Sequence, residues 1–251
     1  MPMNNVHRAN RFYKNWSAGV LLFSYLILGS TVMAEKEAPV LIPAGPFLMG
    51  SEQGTERERP VHEVWLDAFA IDRYEVSNRD YESFQKSHRR SASSACNLCP
   101  VTLVSWSSAE TFCQNKGGRL PTEAEWEKAA RGPAGLRFSF GPEADPARGH
   151  FARAFTSGAV PVGTLSGNGY GLHHMSGNVW EWVADWFGSY AKGPLQNPRG
   201  PDVGFQKILR GGSWYNADYY VDAGMRFRLD PRVKLNSVGF RCARAAPPSG
   251  P

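Results

Sequence analysis

The chain has 251 residues, 28 Lys and Arg against 23 Asp and Glu, and a formal net charge of +5. The first 34 residues hold three of the basic residues and none of the acidic ones, which leaves 25 against 23, a net +2, for the rest. So small a surplus, with no basic patch, argues against nucleic acid as a partner, and the absence of a fixed-period repeat argues against a repeat array.

In chain order, Arg8, Arg11 and Lys14 precede an apolar run of about 11 residues, Ala18 to Leu28, and Val32-Met33-Ala34 then offers small residues for cleavage. The run is short for a membrane span, which needs about 20 residues. Residues 1–34 therefore read as a secretion signal, with an uncleaved N-terminal anchor as the alternative and no other membrane association expected. Either way the remainder is expected outside the cytoplasm, periplasmic or extracellular. The roughly 217 residues that follow suffice for one domain that removes about 70% of its chain surface from water. Residues 35–39 read as a linker, 40–245 as the domain and 246–251 as a tail.

Val40 to Met49 reads as a strand entering a turn, with Pro43 and Gly45 as punctuation, and Gly50 to Pro60 as a charged loop. Val61 to Ile71 alternates as a strand. Ser77, with Asp80 three places on, opens a helix carrying Tyr81 and Phe84 on one face. A second helix is expected from about Ser107 to Lys116, with Glu110 in the box position and Gly117 as the stop. A third starts at Thr122, has Glu125 as reciprocal partner and ends at Gly132. From Gly132 to Gly171 periodic signals are scarce, and Gly171 to Phe187 is rich in aromatics. Leu209 to Trp214 and Val238 to Ala243 read as short strands. So much irregular chain needs staples. All four cysteines, Cys96, Cys99, Cys113 and Cys242, follow the signal, and an even count in an oxidising compartment points to disulfides.

Four blocks carry a resemblance. They are Pro100-Val101 through Val104-Ser105-Trp106 to Cys113; Arg119-Leu120-Pro121-Thr122-Glu123-Ala124-Glu125-Trp126-Glu127; Gly169-Tyr170-Gly171-Leu172 through Gly177-Asn178-Val179-Trp180-Glu181-Trp182; and Arg210-Gly211-Gly212-Ser213-Trp214 through Gly239-Phe240-Arg241-Cys242. Together, and with Ile42 to Gly50, they resemble the formylglycine-generating enzyme family, also called the sulfatase-modifying factor family. The resemblance implies an α+β, loop-rich single domain, a variant of the C-type-lectin fold. It also implies a disulfide between Cys113 and Cys242.

Active members of that family oxidise a client cysteine with oxygen, using two cysteines five residues apart that suit soft Cu(I). The resemblance places those cysteines at Gly224 and Leu229, neither of which can ligate a metal or exchange a disulfide. Copper is therefore not expected. Arg226 and Arg228 keep their places and, with Trp180 and Trp214, are candidate pocket residues. The resemblance further implies a calcium site at His174, Gly177, Val179 and Glu181, although His174 stands where the family has an oxygen donor. The alternative is that Glu181 accepts hydrogen bonds from loop amides. Cys96-Asn97-Leu98-Cys99 is a candidate redox pair, a tight disulfide or half of a metal site.

These readings lead to an exported factor that binds or matures a client protein or small molecule without copper–thiolate chemistry. A divergent extracytoplasmic oxidoreductase, relying on Cys96 and Cys99 or a metal near Glu181, is the alternative, and a structural envelope component a third. No phosphate loop, zinc-protease motif or nucleophile elbow is present to support hydrolase or nucleotide chemistry.

Overall fold

The computed structural model describes residues 38–247. The expected signal over 1–34, most of the linker and the end of the tail lie outside the described residues. Among the described residues no helix is long and apolar enough to cross a membrane.

Pro43 and Gly45 split the first expected strand in two, β1 (Val40–Ile42) and β2 (Gly45–Met49). Proline supplies no N–H, and Gly45 turns the chain at a φ of 139° that a side chain would disfavour. The second expected strand divides likewise, into β3 (His62–Leu66) and β4 (Phe69–Ile71). The halves pair off in separate sheets. β1 and β4 run antiparallel with Val40 opposite Ile71, and β2 and β3 run antiparallel with Phe47 opposite Val64. β10 (Ala243–Ala245) joins the other side of β4, so the last strand closes the sheet that the first one opens. β6 (Leu195–Gln196) adds in parallel to β3.

Three helices follow β4. α1 (Asn78–Phe84) is capped by Ser77, whose Oγ accepts from the Asp80 amide and donates to Asp80 Oδ2 at 2.6 Å. α2 (Trp106–Asn115) is capped by Ser105, not by Ser107 as expected. Ser105, Ser107 and Ser108 could each cap, and Ser105 is the one whose backbone is extended (φ −77°, ψ 162°). α3 (Glu123–Arg131) has the expected box. Thr122 Oγ1 accepts from the Glu125 amide at 3.1 Å, and Glu125 Oε2 accepts from the Thr122 amide at 2.8 Å. Gly132 ends it at a φ of 67°.

The third sheet has the order β8–β7–β5–β9, from Phe227–Leu229, Lys207–Arg210, Trp180–Trp186 and Val238–Gly239. β5, central and seven residues long, was not foreseen as a strand. From Trp180 to Val183 it is buried on both faces, so it shows no apolar–polar alternation. Its register with β7 shifts between Trp182 and Trp186.

One core cluster joins Ile42, Trp126, Met175 and Ile208 beneath α3. A second joins Phe112, Trp182, Leu209 and Phe240 and contains Cys113 and Cys242, which form a disulfide with Cα atoms 5.4 Å apart. The bond ties α2 to the end of the chain. Cys96 and Cys99 form the other disulfide, and no cysteine is free. The result is a mixed α+β, loop-rich domain.

Candidate functional site

Three of the sequence blocks meet at Glu181. It is buried on β5, and Arg241 lays its fork across the carboxylate, with Nε 2.7 Å from Oε2 and Nη2 2.7 Å from Oε1. Trp126 Nε1, from α3, donates to Oε2 at 2.9 Å. The expected calcium set meets two obstacles in its side chains. A guanidinium stands where a cation would need the Glu181 oxygens, and the carboxylate accepts from Arg241 and Trp126, not from loop amides. His174 offers ring nitrogens, a poor match for a hard cation. Burial first, and then Arg241, push its pKa down to about 3, so it is neutral. Neither of its nitrogens completes a hydrogen bond of normal geometry, although the Pro161 carbonyl lies close enough to bias it. Among the described residues no group of three or more His, Cys, Asp or Glu is arranged to hold a metal. Of the two side chains in the set, Glu181 is bonded to a guanidinium and His174 brings no oxygen, so neither is a free oxygen donor.

Glu75 completes this network and escaped the sequence reading. It accepts from Asn178 Nδ2 at 2.8 Å and from the Val179 amide at 3.4 Å. Burial, reinforced by the charge of Glu181, raises its pKa well above the carboxylate range. Asn178 itself sits at a φ of 66°, a left-handed conformation that asparagine tolerates well.

A second buried network lies along α3. Arg226 pairs with Glu123 through Nε at 2.6 Å and Nη2 at 2.8 Å, and donates to the carbonyls of Arg57 and Gly188. Arg210 pairs with Glu127, which also accepts from Arg131 and from the Gly50 amide at 2.8 Å. Arg226 borders a cavity of about 300 Å³ together with Glu123, Asp185, Tyr190 and His62. Asp185 accepts from the Glu123 amide at the start of α3. Burial first, then the Glu123 charge, push its pKa up to about 7. Of the four expected pocket residues, Arg226 lines this cavity. Trp180 packs on Phe227, with ring centroids 5.3 Å apart, and Trp214 is fully buried with its Nε1 donating to the Phe155 carbonyl. The Arg228 guanidinium lies 4.6 Å from the Phe187 ring centroid.

A second opening is a cleft of about 630 Å³. One wall is β2 and the turn after it, from Pro46 to Gln53; the other is the C-terminal end of α3 and the loop through Arg137, with Tyr170 at one side and Asp222 below. Gly224 backs onto this cleft. A Cβ there would meet Arg131 Nη2 and Ser51 Cβ at 3.0 Å and Asp222 Oδ1 at 3.3 Å, and Arg131, Ser51 and Asp222 all line it. Leu229 lies in β8 opposite Lys207 and packs against the second core cluster. The three atoms nearest a Cβ at Gly224 include no sulfur, no cysteine lines the cleft, and all four cysteines are in disulfides. The Cys96–Cys99 bridge closes a turn whose carbonyls hold α1: Asn78 Nδ2 donates to the Cys96 carbonyl at 2.9 Å, and the Asn78 amide donates to that of Cys99 at 2.9 Å. A copper–thiolate centre does not fit these residues.

Residues 28–246 match the sulfatase-modifying factor enzyme 1-like domain. The chain belongs to that family. Formylglycine-generating enzyme from Streptomyces coelicolor is 32% identical over 82% of this chain and 89% of its own length. Inactive C-alpha-formylglycine-generating enzyme 2 from Mus musculus is 29% identical, covering 85% of this chain and 87% of that protein. A protein named serine/threonine-protein kinase pkn1 from Chlamydia pneumoniae is 34% identical over 89% of this chain, which spans only 42% of that protein. The fold matches Treponema denticola variable protein 1 (TM-score 0.75, 23% identity, 83% of this chain and 95% of that one) and PvdO from Pseudomonas aeruginosa (TM-score 0.71, 25% identity, 82% and 93%). This family member thus keeps the C-type-lectin-like architecture.

Proposed function

We propose that the protein is an exported binding or maturation factor, which holds a client protein or small molecule in the cleft beside Gly224 and does not oxidise it. The observation that carries this reading is what stands behind the cleft. Where the family's chemistry calls for a thiolate there is a glycine, surrounded by Arg131, Ser51 and Asp222, and no free thiol exists among the described residues to replace it. The mouse relative named as inactive supports a non-catalytic role within the family. The cleft volume of about 630 Å³ is in the range of ligand sites. Export agrees with the N-terminal pattern and with two disulfides, which persist in oxidising compartments.

The test is turnover measured beside binding. The purified protein, supplied with Cu(I), oxygen and a panel of cysteine-containing peptides, is expected to form no aldehyde product beyond a protein-free control. Aldehyde formation that depends on oxygen and on this protein would overturn the reading.

A further inference from the structure

The wall of the cleft formed by β2 is a sheet edge. The order of its sheet is β2–β3–β6, so among the described residues β2 has a neighbour on one side only. Which of its backbone groups face outward follows from three independent facts. Pro46 has no N–H and cannot belong to a pair that exchanges two hydrogen bonds. The Trp65 carbonyl accepts from the Asn197 amide beside β6, so Val64 and its alternates face β2 and bond Phe47, Gly45 and Met49. Gly50, the next position of the outward set, has its amide on Glu127 Oε1 at 2.8 Å and its carbonyl on Arg131 Nη2 at 2.7 Å. The outward set is therefore Pro46, Leu48 and Gly50. Side chains of α3 satisfy Gly50. The Pro46 carbonyl and both backbone groups of Leu48 have no partner among the described residues and face the cleft, and the Leu48 side chain is 63% exposed.

The opposite wall has a charge bias. Lys128, Arg131 and Arg137 stand against Glu52 and Asp222. Arg137 uses only Nε, on Asp222 Oδ2 at 2.7 Å; its Nη groups have no hydrogen-bond partner among the described residues, and its side chain is 37% exposed. Phe47, Leu48, Val61, Pro133 and Tyr170 supply apolar lining.

We propose that the cleft takes an extended peptide which adds to β2 as a further strand, bonds the Leu48 N–H and C=O and the Pro46 C=O, and sets an Asp or Glu side chain against Arg137. This deepens the client-binding reading and rests on it. An exposed edge is a ready template for strand addition, in which backbone bonds give affinity and side-chain pockets give selectivity. The ladder is short, because Pro46 removes one donor and Gly50 is already bonded. Only three or four client residues are read, and the carboxylate carries much of the selectivity.

The test uses the protein labelled with ¹⁵N and three pools of acetylated, amidated pentapeptides rich in β-branched residues: one fixed as Glu at the centre, one fixed as Lys there, and the Glu pool N-methylated along its backbone. The Glu pool is expected to move the Leu48 amide resonance downfield. The Lys and N-methylated pools are expected to bind at least about fivefold more weakly, the loss of one or two hydrogen bonds. Leu48→Pro removes the outward donor without touching the β2–β3 ladder, as Pro46 already shows to be tolerated. With an unchanged melting temperature it is expected to bind the Glu pool at least about fivefold more weakly, and Arg137→Glu to reverse the preference between Glu and Lys pools. Shifts elsewhere with Leu48 unmoved overturn strand addition and leave client binding standing. No shift with any pool overturns both.

Discussion

Arg241 and Glu181, 60 residues apart in the chain, form a two-point ion pair inside the protein, each contact 2.7 Å long and neither side chain more than 1% exposed. Trp126 donates to the same carboxylate, so the helical block, the Trp-Glu-Trp strand and the closing Gly-Phe-Arg-Cys segment are locked together at one point. Removing one partner of such a pair strands a buried charge. Arg241→Met is expected to lower stability by about 3–5 kcal/mol, and Glu181→Gln in the same chain to recover part of it. Urea unfolding of the two single variants and the double variant checks this; additive losses would show that the pair is not coupled.

Two buried groups give opposite pH slopes. Asp185 has its pKa raised to about 7 from 3.8, so the folded state holds a proton that the unfolded state has released. Its contribution is present below about pH 4 and is lost as pH rises toward 7. Asp185→Asn keeps an acceptor for the Glu123 amide and removes the charge, so it should raise the melting temperature at pH 8 and change it least at pH 4. His174 is the reverse. Its pKa falls to about 3 from 6.5, so its contribution is present above pH 6.5 and is lost as pH falls toward 3. His174→Asn, which suits the φ of 56° there, should flatten the acid side of the profile. Melting curves from pH 3 to 8 for both variants decide the matter, and an unchanged slope on either side would refute the corresponding assignment.

The disulfides should differ in weight. Cys113–Cys242 spans 129 residues and Cys96–Cys99 only 3. The chain-entropy model gives about 5 kcal/mol for the first and about 2 kcal/mol for the second. Cys113→Ser with Cys242→Ser should therefore unfold at far lower denaturant than Cys96→Ser with Cys99→Ser. The second variant should bind peptide as the parent does; if it keeps its stability but loses an activity, Cys96 and Cys99 are functional and not a staple.

Calcium should be inert toward the fold. With Arg241 and Trp126 on Glu181, millimolar calcium and a chelator are expected to give the same melting temperature. A calcium-dependent rise that disappears in Glu181→Gln would contradict the assignment of Glu181 to Arg241.

Much of the architecture was readable in the chain because its signals are local. Thr122 and Glu125 are three residues apart and cap α3 as their types require. The cap of α2 was misplaced by two residues because three serines crowd Ser105 to Ser108, and backbone geometry selects among them. β5 gave no strand signal because its central residues face protein on both sides. The site was less legible for a physical reason. The role of Glu181 depends on Arg241 and Trp126, and that of Asp185 on burial beside Glu123. Such partnerships arise between distant segments and leave no spacing to read. The edge at Leu48 had one local sign, Pro46, which marks the side of a strand that donates nothing inward.

The most direct measurement is anaerobic titration of the fully folded protein with Cu(I) against a chromogenic chelator. The account predicts no site that competes with the chelator, because the cleft beside Gly224 presents no sulfur. One equivalent of copper bound tightly, with peptide oxidised on admitting air, would contradict it.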